Sequence, residues 1–314
     1  MTALLILNPK SGGGRTGRHA AELERRVRAR LGSVDVVRTE RPRHAAKLAE
    51  EAAIAGRETV LSAGGDGTIH EIVNGLMVAR ERDAAATRLG IIGRGTGGDF
   101  RRTLGLEHEL DAYLSAVEEG KTRTIDVGRL RYVDHDGRDG TGYFVNILSM
   151  GMGGLVDQYV ATTARRLPGV AAYFTATVVA LVRSRIGHLR CRVRNGDEER
   201  EVRLSSRNLA ICNGRFFGSG MEVAPMAEPD DGLFHIVSLP ARGRLHFALF
   251  SRSIYAGTHV DAPDVEVLSC NGIHIELDNP GVSDRFLLDV DGEPLGKLPI
   301  DVELLPRALE VFVP

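Results

Sequence analysis

Two successive residue patterns and the chain length predict a mixed architecture, an α/β domain followed by a β-rich, sandwich-like domain. Over residues 1–125 short apolar runs alternate with helix-like amphipathic segments, the pattern of a mostly parallel sheet covered by helices. Over residues 126–300 strand-like runs with period-two alternation dominate, bounded by glycine, asparagine or aspartate. At 314 residues the chain also exceeds the size at which one hydrophobic core usually stops growing. The boundary is read from the change of period, because no linker or internal repeat marks it.

The opening MTALLILNPK lacks a basic leader and is expected to be a buried first strand, not a signal peptide. A helix through RHAAELERRVRARL then sets Leu23, Val27 and Leu31 on one face. VDVVRT, HAAKLAEEAAIAG and ETVLSA repeat the strand, helix, strand order, followed by a helix through IHEIVNGLMVAR and a strand at RLGIIG. The later strands are expected in TRTIDVGRL, GYFVNILSM, LRCRVRNG, EVRLSSRNLAICN, LFHIVSL, VEVLSC, IHIELD and RFLLDVDGEPL. Two helical candidates interrupt them, residues 154–185 and RGRLHFALFSRSI.

The formal net charge of -2 supplies no global field for nucleic acid, which is therefore not expected as a partner. Cys191, Cys212 and Cys270 are too scattered for a local metal or redox motif, which fits a reducing, cytoplasmic setting. Cys212 reads as core packing, since no local partner marks a nucleophile. The longest apolar stretch, LPGVAAYFTATVVALV at residues 167–182, is short for a bilayer span. It still allows peripheral contact with a membrane surface.

Four loops could carry chemistry, and ligands of open α/β sheets gather at the carboxyl ends of strands. NPKSGGGRTGR, from Asn8 to Arg18, can turn backbone amides toward an anion, with Lys10, Arg15 or Arg18 as countercharge; the alternative is a flexible surface turn. In AGGDGTIHEIVNG, Gly64, Gly65 and Gly67 permit close backbone approach, and Thr68 is expected to cap the following helix. Asp66 would repel phosphate unless it holds a metal, orders the loop or binds ribose, so it points to a nucleotide-metal arrangement or to a structural turn. GIIGRGTGGDF formally satisfies GxGxxG at Gly93, Gly95 and Gly98, but lies too late in the alternation for a dinucleotide fingerprint. LLDVDGEPLG spaces Asp289, Asp291 and Glu293 by two, although Asp-Gly more naturally begins a turn. Its acids are either solvated hairpin residues or a general base for a hydroxyl substrate.

Taken in order, NPKSGGG, GGDGTIHEIVNG, GIIGRGTGGDF, TIDVG, NGRFFGSGMEVAPMAEPDDGLF and the late DGE resemble the soluble bacterial diacylglycerol and related lipid kinases, in the wider group that includes sphingosine kinases. The resemblance spans almost the whole chain. It implies a three-layer α/β nucleotide domain at 1–125, a β-sandwich-like lipid-substrate domain at 126–300, and a segment 301–314 that returns to the first domain. The implied activity is transfer of the γ-phosphoryl group of ATP, with Mg2+, to the hydroxyl of diacylglycerol or a similar lipid alcohol. Carried over by motif, Gly64, Gly65, Asp66, Gly67 and Thr68 would organise phosphates and magnesium. Asn8, Ser11, Gly12, Gly13, Gly95 and Thr96 would help hold the nucleotide. Asp99 and Asp126 match acidic positions of the magnesium network, Asp291 the general base and Glu293 its assistant. Asp230 and Asp231 match a separate structural magnesium site.

Phe216, Phe217 and residues 167–182 are the apolar candidates for a lipid slot, with core packing as the alternative for each. The resemblance also allows a homodimer and transient membrane contact. This chain departs from the family's third loop, PxGTxND, by carrying Arg94 for the proline and Gly98 for the asparagine. Two other readings follow from the same residues: an NAD kinase, which would share GGDGT, and a noncatalytic nucleotide-dependent lipid sensor, motivated by the altered loop.

Overall fold

The computed structural model describes residues 2–134, 136–162, 176, 179–240, 250 and 252–314. The chain divides into two compact units. The first comprises Met1–Val127, Tyr143–Val145 and Pro306–Pro314, and the second Gly128–Gly142 and Asn146–Leu305.

In the first unit, strands β1 (Ala3–Leu7), β2 (Val34–Arg38), β3 (Thr59–Gly64) and β4 (Arg88–Gly93) form a parallel sheet in the order β4-β3-β1-β2. Leu5 pairs with Val36 on one side and Leu61 on the other, and Leu61 pairs with Gly90. All five residues of β1 are buried, because helices take the faces of a parallel sheet and leave its strands no solvated side. Each such Leu or Ile contributes about 1.5–3 kcal/mol of burial. The helices are α1 (Arg15–Arg18), α2 (Ala20–Leu31), α3 (His44–Ile54), α4 (Asp66–Arg80), α5 (Asp99–Thr103) and α6 (Leu110–Glu119). Within this set α3 packs on α4 and α2 on α6. Leu23 and Val27 on α2 are fully buried, as their spacing requires, while Leu31 at the helix end is half-buried.

The second unit is antiparallel and β-rich. Its strands are β5 (Thr122–Val133, entering from the first unit), β6 (Asp139–Phe144), β7 (Ile147–Gly151), β8 (Gly187–Asn195), β9 (Glu198–Ser206), β10 (Asn208–Cys212), β11 (Phe216–Phe217), β12 (Met221–Glu222), β13 (Phe234–Leu239), β14 (Glu266–Cys270), β15 (Gly272–Leu277), β16 (Leu287–Val290) and β17 (Glu293–Phe312). They run β14-β13-β10-β7-β16-β17, with β15 joining β17 to the β8-β9 hairpin. In β8 buried and exposed positions alternate, the mark of a sheet with one solvated face, whereas β7, β10 and β13 are buried throughout. One helix, α7 (Met152–Thr162), follows β7. The last residues of β17 belong to the first unit, where Val311 pairs parallel with Leu89 of β4.

Most of the apolar stretch 167–182 and of the helical candidate 242–254 lies outside the described residues. Among the described residues no helix is long and apolar enough to cross a membrane. Cys191, Cys212 and Cys270 are buried free thiols; burial pushes Cys191 and Cys270 up to about 12 and raises Cys212 as well. Thiols held neutral in this way are packing groups, not nucleophiles.

Candidate active site

The loops that follow β1, β3 and β4 are joined through their backbones. The amide of Asn8 donates to the Ala63 carbonyl at 2.9 Å, and that of Arg94 donates to Gly64 at 2.6 Å. A Cβ placed on Gly95 would lie 2.6 Å from the Cα of Gly65, and one on Gly65 would lie 3.2 Å from the Cα of Gly95. The two turns therefore touch where any side chain would part them. In the first loop Ser11 Oγ donates to the Asn8 carbonyl at 2.9 Å and meets Thr16 Oγ1 at 2.7 Å. Gly12 and Gly13 follow in left-handed backbone. Asn8 Nδ2 donates to Thr68 Oγ1 at 3.0 Å, linking the β1 loop to the β3 turn.

That contact corrects the role expected for Thr68. The helix begins two residues earlier, with Gly65 as its N-cap and Asp66 and Gly67 in its first turn, and no side chain caps it. Thr68 is buried inside the helix, where its hydroxyl serves as the acceptor for Asn8. The first amides of a helix lack intrahelical partners and carry positive field, so the start of this 15-residue helix favours an anion.

Asp66 sits in that field. Its Oδ2 accepts the Gly98 amide at 2.7 Å, while its Oδ1 is buried and has no hydrogen-bond partner among the described residues. A buried, unpaired carboxylate oxygen is costly unless a cation takes it. Gly98 has φ of 67°, a left-handed conformation open to glycine and asparagine. Because the backbone amide makes the contact with Asp66, replacing the family's asparagine by glycine leaves this bond intact. Aligned on Gly95 and Thr96, the proline of PxGTxND falls on Gly93 and not on Arg94, which takes the variable position; the Arg94 amide donates to Gly64.

The other two candidate acids of the first unit, Asp99 and Asp126, are engaged in structure. Asp99 opens α5, is 8% exposed and pairs with Arg102 at 2.7 Å. Asp126, 1% exposed, accepts the Arg307 amide at 2.7 Å and so ties the C-terminal segment to β5. Among the described residues no three His, Cys, Asp or Glu side chains gather as a metal cage. Asp66 nevertheless suits Mg2+, which commonly takes one or two carboxylates and completes its shell from phosphates and water. Gly67 lies in the first turn of α4, and Thr96 is exposed between β4 and α5.

Helix α4, which begins within GGDGT, carries two further positioning residues that this motif does not mark, Glu71 and Asn74. Glu71 accepts the amides of Arg43 and Ala45 at 2.9 and 3.0 Å, holding the start of α3. Asn74 accepts the Tyr143 amide and donates to its carbonyl, both at 2.9 Å. The signal in the sequence is the pair of polar residues that interrupts the apolar pattern of IHEIVNGLMVAR.

In the second unit the chain turns at Asp291 and Gly292, with φ of 52° and 88°, and Val290 pairs with Glu293. This is the two-residue turn favoured by Asp-Gly. It separates three acids that an unbroken strand would align. Asp289 accepts from Ser149 Oγ at 3.2 Å and from the Gly292 amide at 2.9 Å, and is buried. Asp291 Oδ1 accepts the amides of Asn146 and Ile147 at 3.1 and 3.0 Å, which fixes its carboxylate at the start of β7. Glu293 is exposed and opens β17. Asn146 also donates to the Phe216 carbonyl at 2.8 Å; Phe216 is half-buried, and Phe217 packs against the core cluster of Cys212, Val223 and Val237. Asp231 accepts the Leu233 amide at 2.9 Å and pairs with His235 at 3.0 Å. Its neighbour Asp230 is half-buried in the same turn.

Comparison with known proteins covers both parts of the chain. Residues 2–130 match the family model for the diacylglycerol kinase catalytic domain, and residues 146–313 that for the YegS C-terminal NAD kinase beta sandwich-like domain. A protein of Chromohalobacter salexigens named probable lipid kinase YegS-like is 33% identical, covering 85% of this chain and 80% of its own. A diacylglycerol kinase of Mycobacterium tuberculosis is 31% identical, covering 98% and 94%. The crystal structure of a diacylglycerol kinase from Bacillus anthracis aligns with a TM-score of 0.70 over 100% of this chain and 97% of its own; at 20% identity it attests the fold alone. The chain is accordingly a kinase, belonging to the family of diacylglycerol kinases and YegS-like lipid kinases.

Proposed function

We propose that this chain uses ATP and Mg2+ to phosphorylate the hydroxyl of diacylglycerol or a related lipid alcohol. The observation that carries the reading is Asp66: one oxygen pinned by Gly98, the other buried and unpartnered, at the start of a helix flanked by glycine turns in backbone contact. Amides of Ser11, Gly12, Gly13, Gly64, Gly65, Gly67, Gly95 and Thr96, with the Asn8 and Thr68 side chains, would cradle the nucleotide. When bound, Mg2+ supplies neutralisation of phosphate charge, and Asp66 is the residue to hold it. Asp99 and Asp126 would support that network from their bonded positions. Asp230 and Asp231 would take a second, structural magnesium, which must compete with His235 for Asp231.

Transfer needs an aligned hydroxyl and a proton acceptor, with donors aimed at the developing charge. Asp291, oriented by two backbone amides, would take the hydroxyl proton as the lipid oxygen bonds to the γ-phosphorus and the bond to the ADP oxygen breaks. Glu293 would assist from the adjacent strand start. The acceptor is reached from a membrane surface, with Phe216 and Phe217 as apolar contacts, in a cytoplasmic protein that acts without nucleic acid and is compatible with a homodimer.

The test is incubation of the purified chain with Mg-ATP and separate panels of lipid alcohols and NAD, with product identification. Phosphorylated lipid is expected. NAD phosphorylation without lipid turnover would overturn the acceptor, and nucleotide binding with no product in either panel would favour a sensor.

A further inference from the structure

A cavity of about 380 Å³ opens in the first unit between α1–α2 and the loop after β4, lined by Arg15, His19, Glu22, Arg26, Arg94 and His108 among others. We infer that it is a second, phosphate-group site, taking a small phosphomonoester or the phosphate of a lipid headgroup on Arg94, Arg26 and Arg15. The proposal goes beyond phosphoryl transfer and does not depend on which alcohol is the acceptor.

Three arginines line the cavity against one carboxylate, Glu22. Asp111, outside the lining, pairs with Arg26 at 2.7 Å, so a surplus positive charge remains after both acids are counted. Arg94 carries it in the least solvated form. Its Nε is buried with no hydrogen-bond partner among the described residues, and burial followed by the nearby Arg26 charge pulls its pKa down. A guanidinium so placed lacks the acceptor that its geometry suits, and a phosphate oxygen supplies one. His108 does not add charge: burial, then Arg101, Arg102 and Arg94, hold it below the usual imidazole range, and it bonds Tyr113 Oη at 2.8 Å. A phosphate ester carries roughly -1.5 to -2 charges at neutral pH, opposite in sign to the surplus. The volume falls at the lower end of small-ligand pockets, about 300–1,000 Å³, so it holds a phosphate with a short organic group attached.

The position gives occupancy a consequence. The Arg94 backbone is held between two loops: its amide donates to Gly64, and its carbonyl would lie 2.7 Å from a Cβ on Gly12. A ligand that draws on the Arg94 side chain therefore bears on the β1 and β3 loops.

The test is calorimetric titration of the full chain, at low ionic strength, with inorganic phosphate, with glycerol phosphate, and with phosphatidylcholine vesicles lacking or containing phosphatidic acid. Glycine loops also offer amides to anions, so the discriminating variants are Arg26→Gln and Glu22→Gln on α2, with Arg94→Met beside them. Arg26→Gln and Arg94→Met should each weaken binding about tenfold, the scale of one charge-assisted bond, and Glu22→Gln should tighten it about threefold. Binding of glycerol phosphate assigns a soluble ligand, and binding of the anionic vesicles alone assigns a headgroup. Absence of binding in every arm, or equal affinity in wild type, Arg26→Gln and Glu22→Gln, overturns the proposal even if Arg94→Met fails to fold.

Discussion

Gly95→Ala tests whether backbone contact between two loops is a requirement of this site. The added Cβ would stand 2.6 Å from the Cα of Gly65, where ordinary contact begins near 3.4 Å. The loops must part by roughly 0.8 Å, with little chance to yield elsewhere, because both partners are backbone. Overpacking of this kind costs about 1–3 kcal/mol, or a melting point lower by roughly 2–12 °C for a unit of this size. Activity should suffer more, since a displacement near 1 Å in a positioning element costs about a hundredfold in rate. The assay is thermal melting together with initial rates on Mg-ATP and lipid. Gly281→Ala is the control, because a Cβ there meets nothing within 4 Å. If Gly95→Ala melts and turns over like Gly281→Ala, the contact carries neither stability nor function.

Asp66→Asn can still accept the Gly98 amide while replacing the unpartnered oxygen with an amide nitrogen, so melting should be nearly unchanged and turnover should fall by about a hundredfold or more; retained magnesium-dependent nucleotide binding would remove Asp66 as the metal ligand. Asn fits the left-handed backbone of Asp291 and can accept the same two amides, so Asp291→Asn should keep the fold and ATP binding and lose about 10²–10⁴ in turnover. Normal turnover in that variant would exclude Asp291 as the base. His259 is fully buried, with Nε2 2.9 Å from the Val223 carbonyl, and burial pulls its pKa below 6.5. The unfolded chain takes up that proton near 6.5 and the folded chain only at lower pH, so stability is complete above this range and declines as pH falls through it. Denaturant titrations across that window should show a shallower slope in His259→Gln; an unchanged slope would clear His259 of the effect.

The α/β half was legible because its strands are uniformly apolar and its helices keep a 3.6-residue period, so ALLIL and RHAAELERRVRARL identify themselves. The Asp-Gly turn was legible from its dipeptide alone. The start of α4 was not, because Thr68 suits a cap by residue type, yet it lies inside the helix bonded to Asn8, and Gly65 is the N-cap. Least accessible were the partners of the Asp291 carboxylate: Asn146 and Ile147 lie 145 and 144 residues away in sequence. Periodicity reports which face of a strand is buried, but an amide that binds a distant carboxylate is set by strand order. Asn146 and Ser149 within FVNILSM were the visible hint, two polar side chains in an otherwise apolar run.

The 20-residue strand β17 has a bearing on biosynthesis. Its last turn of chain completes the first unit: Arg307 meets Asp126, and Val311 lies beside Leu89. Residues 3–119 leave the ribosome early, yet the edge of their sheet waits until residues 306–314 are made. Unpaired strand edges invite association with other chains, so the nascent first unit is exposed to that hazard while the whole β-rich unit is translated. A ribosome stalled before residue 306 would display an incomplete sheet.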